Sequence, residues 1–250
     1  MPKGLLIDIT KCIGCRSCEA ACKIQNKLPE NNDTDLTATT YTKVMERGDR
    51  FVRKMCRHCQ TPTCVSVCPV GALQKTNYGP VIYDETKCIG CRYCMAACPF
   101  QIPRYEWTSA FPRVRKCIMC KDRVAQGLQT ACAEACPTGA TQFGEREELI
   151  QEAWNRIRQE PGKYVKQIYG LSDVGGTGVL FISDVSFEKL GFRTDLPKEP
   201  LPMLTWNVLS KIPNFVGVGA TLLFGIWWIT SRRQDVIKAE AEEKAKANKQ

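Results

Sequence analysis

Histidine is nearly missing from this chain: His58 is the single instance in 250 residues. A haem held between two histidines, or a histidine-rich zinc site, therefore has no ligand pair here. No G-x-x-x-x-G-K-[ST] loop and no G-x-G-x-x-G turn occurs, and no nucleophile stands beside a base. The chain thus has no recognisable means for phosphoryl transfer, dinucleotide binding or covalent catalysis, and any substrate chemistry is expected on another chain. No secretory leader is expected either, since Met1-Pro2-Lys3-Gly4 opens no apolar segment and Cys12 follows almost at once.

Cysteine is what the chain has in excess. Sixteen stand in four groups with none left over: Cys12, Cys15, Cys18, Cys22; Cys56, Cys59, Cys64, Cys68; Cys88, Cys91, Cys94, Cys98; and Cys117, Cys120, Cys132, Cys136. The first and third read C-x2-C-x2-C-x3-C, the spacing with which bacterial ferredoxins hold cubane [4Fe–4S] clusters. The second and fourth keep the C-x2-C start and the x3-C end around a longer loop. Pro69, Pro99 and Pro137 each follow the last cysteine of a group. Residues 11–22, KCIGCRSCEAAC, and 87–98, KCIGCRYCMAAC, are near repeats and point to a duplicated module. Four [4Fe–4S] clusters, with iron held by all sixteen thiolates, are the expected cofactors. One-electron transfer, with no catalytic residue in the chain, is the expected chemistry.

Disulfides are a poor rival, because a chain of 250 residues with 44% hydrophobic content can build a core without staples. Zinc ribbons do use C-x2-C pairs across a longer loop, so the fourth group alone fits one. Beside three ferredoxin-type groups the cluster reading is the better one.

In two-cluster ferredoxins the last cysteine of a group ligates the other cluster. Cys68 and Cys88 are close enough in sequence to fold groups two and three into one such pair, leaving groups one and four to pair outside them. The expected sets are Cys12, Cys15, Cys18 with Cys136; Cys117, Cys120, Cys132 with Cys22; Cys56, Cys59, Cys64 with Cys98; and Cys88, Cys91, Cys94 with Cys68. Pairing of group one with group two is the alternative, disfavoured by the long gap from Cys22 to Cys56.

The formal charge of +9 counts every cysteine as neutral. An oxidised cubane with four thiolates carries about −2, so four of them cancel nearly all of the excess, and no nucleic-acid partner is expected. The basic residues gather at the cysteines: Arg50, Arg53, Lys54 and Arg57, then Arg113, Arg115, Lys116, Lys121 and Arg123. Compensation of cluster charge and upward tuning of potential is their expected role, with a solvated face the plainer reading for some. For His58 a packed, hydrogen-bonded ring is expected rather than a cluster ligand or proton relay.

From Ile212 to Ser231 no residue is charged. Twenty helical residues span about 30 Å, the thickness of a bilayer core. Trp206 and Trp227-Trp228 fit the interfacial belts, which favours a membrane span over 206–231 rather than a buried core helix. Gly217, Thr221 and Gly225 form a face of small residues for another membrane helix. Arg232, Arg233, Lys238, Lys244, Lys246 and Lys249 outnumber the basic residues before the span, which places the tail, 232–250, in the cytoplasm and the cluster domain on the periplasmic side. Because no leader is expected, that domain is expected to cross bound to an exported partner. Between clusters and span, 145–158 carries Leu149, Ile150, Ala153, Trp154 and Ile157 on one helical face, and Val179–Ile182 reads as a strand after a glycine turn. The polar stretch 26–42 reads as an exposed insertion.

Four cysteine groups in this order, the C-x2-C-x11-C-x3-C fourth group and one C-terminal span resemble the iron–sulfur (beta) subunits of membrane-bound respiratory formate dehydrogenases. Beta-type subunits of membrane-bound hydrogenases and of dimethyl sulfoxide and polysulfide reductases are similar. The resemblance runs from Lys11 to the membrane helix and implies the nested sets given above. It implies an inner-membrane complex in which a molybdenum or tungsten pterin subunit oxidises formate, this subunit conducts, and a cytochrome b passes electrons to quinone. The fold it implies is α+β. Two ferredoxin-like two-cluster modules fill 1–144 (inner about 53–100, outer from 1–25 and 114–144), 145–205 braces the partners, and one transmembrane helix anchors the chain in lipid.

Overall fold

The computed structural model describes residues 1–247; the last three residues of the tail, 248–250, lie outside the described residues. The chain divides into two units, Met1–Pro202 and Met203–Gln250.

The first unit is organised on strand β1 (Lys3–Asp8), whose run Leu5-Leu6-Ile7 is buried. A strand with neighbours on both edges and cover on both faces needs such an unbroken apolar run. β1 pairs antiparallel with β8 (Thr141–Glu145), from Lys3↔Glu145 to Ile7↔Thr141, and parallel with β9 (Val179–Ile182), from Leu5↔Val179 to Asp8↔Ile182. Every residue of β9 is buried. Three two-stranded ribbons complete the β-structure: β2 (Thr42–Arg47) with β3 (Arg50–Met55), β4 (Leu73–Lys75) with β5 (Val81–Tyr83), and β6 (Arg104–Tyr105) with β7 (Val114–Arg115).

Short helices end the cysteine groups: α1 (Ser17–Asn26), α2 (Thr63–Ser66), α3 (Tyr93–Ala96) and α5 (Ala131–Glu134), with α4 (Lys121–Ala125) inside the fourth. α1 packs on α5, and α2 packs on α3. Group one therefore meets group four, and group two meets group three.

Helix α6 (Arg146–Gln159) opens with Glu147 and Glu148 and closes with Arg156 and Arg158, in line with its dipole. Leu149, Ala153 and Ile157 pack against Leu6, Leu180 and Ile182 of the sheet. Burial of a side chain such as Leu180 contributes about 1.5–3 kcal/mol. Arg156 donates to the fully buried Asp8 at 3.1 Å, and the Tyr164 hydroxyl donates to the same carboxylate oxygen at 3.0 Å.

After α6, Tyr169, Phe181, Phe187 and Phe192 form an aromatic cluster with centroids 4.7–6.4 Å apart. The stretch 26–42 also differs from an exposed insertion, because Leu36 and Thr40 are buried. Its polar side chains bond one another, with Thr37 and Thr40 both donating to Asp33, and Lys54 ties Asp35 to β3. Composition alone hid that internal satisfaction.

In the second unit, α7 (Leu201–Leu209) precedes α8 (Ile212–Ala247), with Pro213 in the first turn of α8, where its missing N–H costs nothing. Leu201–Glu242 is the one candidate span among the described residues, with mean hydropathy 1.6 in its most apolar window and none of that window buried.

Candidate iron–sulfur centres

Each cysteine group turns through the left-handed backbone region before its helix. Gly14 (φ 71°) and Arg16 (60°) do so in the first group, and Gly90 (69°) and Arg92 (64°) repeat the pattern in the third. His58 (48°) serves the second, and Met119 (52°) and Cys120 (47°) the fourth. Non-glycine residues enter this region at a cost. What offsets it is the direction of the amides. The N–H of Gly90 donates to Cys88 Sγ at 3.4 Å, that of Met119 to Cys117 Sγ at 3.3 Å, and that of Thr141 to Cys136 Sγ at 3.4 Å. Hydrogen bonds to sulfur of this kind stabilise thiolate charge and tune a cluster's potential.

Cysteines of one group meet a cysteine from another. Cys22 lines one cavity with Cys117, Cys120 and Cys132, walled by Leu5, Met55 and Met119. Cys68 lines another with Cys88, Cys91 and Cys94, walled by Leu73, Tyr83 and Val114. Cys12 has Cys136 and Cys15 as charged neighbours, and Cys59 has Cys56, Cys98 and Cys64. Cys117 faces Cys56 as well as Cys22, so the two helix pairs adjoin there.

Burial lifts most of these thiols, Cys18 and Cys94 to about 11 and Cys22 and Cys64 to about 12. Burial raises Cys88 and Cys136 too. The nearby Tyr83 hydroxyl and backbone amides outweigh it at Cys88, and amides led by that of Thr141 do so at Cys136, leaving both below the ordinary thiol value. Iron must displace protons from such thiols, so loading releases protons.

All sixteen cysteines are free. A single zinc ion with Zn–S bonds near 2.3 Å would draw its sulfurs to within about 3.8 Å of one another. Among the described residues no three His, Cys, Asp or Glu side chains are gathered to hold one ion. The fourth group instead opens with Cys22 onto an apolar cavity, a cradle with thiolate donors at its rim, which fits a cubane.

The basic residues sort by depth. Arg53 is buried, donating to Thr42 at 2.8 Å and Thr141 at 3.2 Å, and its charge faces Cys132, Cys18 and Cys117. Lys116 is buried and donates to the carbonyls of Val81 at 2.5 Å and Cys117 at 3.0 Å. Arg57 is buried among aromatic rings, and burial depresses it to about 10. Arg50, Lys54, Arg113, Arg115 and Arg123 instead pair with Asp184, Asp35, Glu85, Glu85 and Glu134 in solvent-reached pairs, the kind that contribute little. Lys75 and Tyr83, on the β4–β5 ribbon, also face cluster cysteines, Lys75 toward Cys59 and Tyr83 toward Cys88. Neither carries a sequence signal, since only the fold of the ribbon brings them there.

His58 is fully buried, and its Nδ1 accepts from the Val81 N–H at 2.9 Å. Burial, with Lys116 and Lys75 nearby, holds the ring neutral, so Nε2 carries the proton. It is a packed, hydrogen-bonded ring.

On α8, Gly217, Thr221 and Gly225 fall on one helix face, and the Thr221 hydroxyl donates to the Gly217 carbonyl at 2.9 Å, leaving no unmet polar hydrogen on that face.

Two family models, each described as a 4Fe-4S dicluster domain, match residues 48–146 and 11–73. The hydrogenase-2 operon protein HybA of Escherichia coli O157:H7 is 35% identical over 242 residues, covering 78% of this chain and 73% of that protein. The formate dehydrogenase-O iron-sulfur subunit of Escherichia coli K12 is 35% identical over 245 residues, covering 89% and 81%. This chain belongs to their family of dicluster iron–sulfur subunits. A protein of Nitratidesulfovibrio vulgaris is 40% identical over 265 residues, covering 99% of the chain and 71% of its own length. In this iron–sulfur subunit one family model takes groups one and two together, whereas α1 packs on α5 of group four.

Proposed function

We propose that this subunit conducts electrons through four [4Fe–4S] clusters between a molybdenum or tungsten pterin subunit that oxidises formate and a membrane cytochrome b. The observation that carries the reading is the grouping of cysteines: four fours, two of them around single cavities, adjoining through Cys117 and Cys56. When bound, each cluster would accept and release one electron without moving a heavy atom. The chain's part is to hold the thiolates, exclude water and fix the positive charges beside them.

The ligand sets proposed are the crossed ones: Cys12, Cys15, Cys18, Cys136; Cys22, Cys117, Cys120, Cys132; Cys56, Cys59, Cys64, Cys98; and Cys68, Cys88, Cys91, Cys94. The packing of α1 on α5 and α2 on α3 supports them. The proposed domains follow the same division: a four-cluster domain over 1–144, a connecting segment over 145–205, one span over 206–231 and a charged tail. The span lies in an inner membrane with the tail cytoplasmic and the clusters periplasmic, and its Gly217, Thr221, Gly225 face meets a helix of the cytochrome.

A second reading, the same role in a membrane-bound hydrogenase, is favoured by the match to HybA at the same identity as the formate dehydrogenase subunit. Anaerobic purification from membranes distinguishes them. Formate should bleach the clusters of the isolated complex and a pterin subunit should co-purify; bleaching by hydrogen alone selects the second reading. About sixteen irons per chain are required by either, and a preparation stable at about twelve irons with one zinc rejects both.

A further inference from the structure

Arg57 stands between the ligands Cys56 and Cys59 and is 8% exposed. Its guanidinium carbon lies 4.2 Å from the centroid of Phe181 and 5.0 Å from that of Phe192, with Tyr169 and Phe100 closing the cage at 5.7 and 5.8 Å. Among the described residues neither its Nε nor its Nη1 has an acceptor. Aromatic faces attract a guanidinium but do not neutralise it, and a buried cation without a counter-charge is costly. The Tyr169 hydroxyl, its nearest ionisable neighbour, donates to the Arg193 carbonyl at 2.9 Å and is pushed up to about 12, so it supplies no negative charge at ordinary pH. The groups that would stabilise its charge are the sulfurs of Cys56, Cys59 and Cys98 once they are thiolates.

We propose that Arg57 is a fixed positive charge of the station held by Cys56, Cys59, Cys64 and Cys98, acting beside Lys75 and Lys116, and that it raises the reduction potential of that station selectively. One electron added there takes cluster and thiolates together from about −2 to about −3, with no bond broken and no proton required. Attraction to a guanidinium grows with that charge and is strong in a low-dielectric interior. Arginine suits the post because it stays charged. Arg53, by contrast, faces Cys18, Cys132 and Cys117, so its influence falls on the other helix pair.

The proposal rests on the electron-transfer reading, and potentiometry followed by paramagnetic resonance separates the two. In the wild-type complex, with dithionite as reductant, four one-electron steps are required; fewer would reject the underlying reading. In Arg57→Met with its full iron content, one step should fall so that its reduced fraction at fixed potential drops at least tenfold, which is 59 mV for one electron, while three stay in place. Arg57→Lys keeps the charge on a shorter, more strongly hydrated head and should lower the same step by less. Four unmoved steps in Arg57→Met overturn the proposal, as does an equal fall in all four. If Arg57→Met fails to retain its clusters, the neutral, polar Arg57→Gln decides alone: a fall confined to one step supports the proposal, and unchanged steps overturn it.

Discussion

Crossed ligation is testable by counting which pairs of lost cysteines fall in one cluster. Cys22 sits in α1 as the last cysteine of the first group, yet it lines its cavity with Cys117, Cys120 and Cys132. Removing Cys22 and Cys120 together therefore takes two ligands from one cluster, while removing Cys22 and Cys15 takes one from each of two. With four irons per cluster and about sixteen per chain, Cys22→Ala with Cys120→Ala should purify at about twelve irons, with one reduction step missing and three intact. Cys22→Ala with Cys15→Ala should disturb two steps and fall toward about eight irons, or leave two three-iron signals. Coupling within a shared site and additivity between separate sites is the signature of residues that act as a unit. Iron and sulfide analysis, with resonance spectra after dithionite, reads both variants. The opposite pattern, one step lost on removing Cys15 with Cys22 and two on removing Cys120 with Cys22, would refute the crossed sets and restore ligation by each group of its own cluster.

Three further outcomes follow from the packing. Asp8→Ala leaves the buried Arg156 without its interior partner and should cost about 3–5 kcal/mol, read as faster loss of cluster absorbance in denaturant; a change below about 1 kcal/mol would show that Glu152 and Gln142 suffice. Gly79 has φ 120°, and an added Cβ would strike the backbone of Lys3, whose N–H donates to the Tyr78 carbonyl at 2.8 Å; Gly79→Ala should cost about 1–3 kcal/mol or more, against about 1 kcal/mol for Gly71→Ala, where the space is open. Gly217→Leu with Gly225→Leu should leave the chain membrane-bound in carbonate extraction yet reduce co-purification of the cytochrome; undiminished co-purification would move the helix contact to another face.

Much of the site is legible because its determinants are local. Three cysteines at x2 spacing and a fourth after x3 fix a loop and the start of a helix whatever surrounds them. The apolar stripe of α6, from Leu149 to Ile157, and the run Val179–Ile182 are likewise readable from period and composition. Depth is not local. Arg53, Arg57 and Arg50 are alike in sequence, and only the packing of β3 against the aromatic cluster and the cysteine loops separates two interior charges from a surface pair. Leu36 is an isolated apolar residue among polar ones, so its anchoring of 26–42 shows only when the core it enters is known. The parallel pairing of β9 with β1 joins segments far apart in sequence, and neither strand's composition names its partner.

The strand pairing gives the nested order a physical basis. β1 and β8 zip from Lys3↔Glu145 inward, and Lys3 pairs with Glu145 across a sequence separation of 142 residues. Within that closure α1 is carried to α5, while α2 and α3, separated by a short ribbon, meet without any help from the ends. In the proposed sets the inner ligands all lie within residues 56–98, whereas the outer pair needs Cys136 and the β1–β8 register. Closing the longer loop costs only logarithmically more entropy, but it must be met before the outer contacts return anything. The sheet β8-β1-β9 supplies that return, because β9 buries all four of its residues against β1 and the aromatic cluster that seats Arg57 is built from the same strand. The segment after the last cysteine therefore supports the whole fold: β8 and β9 close on β1, and its aromatic cluster seats Arg57.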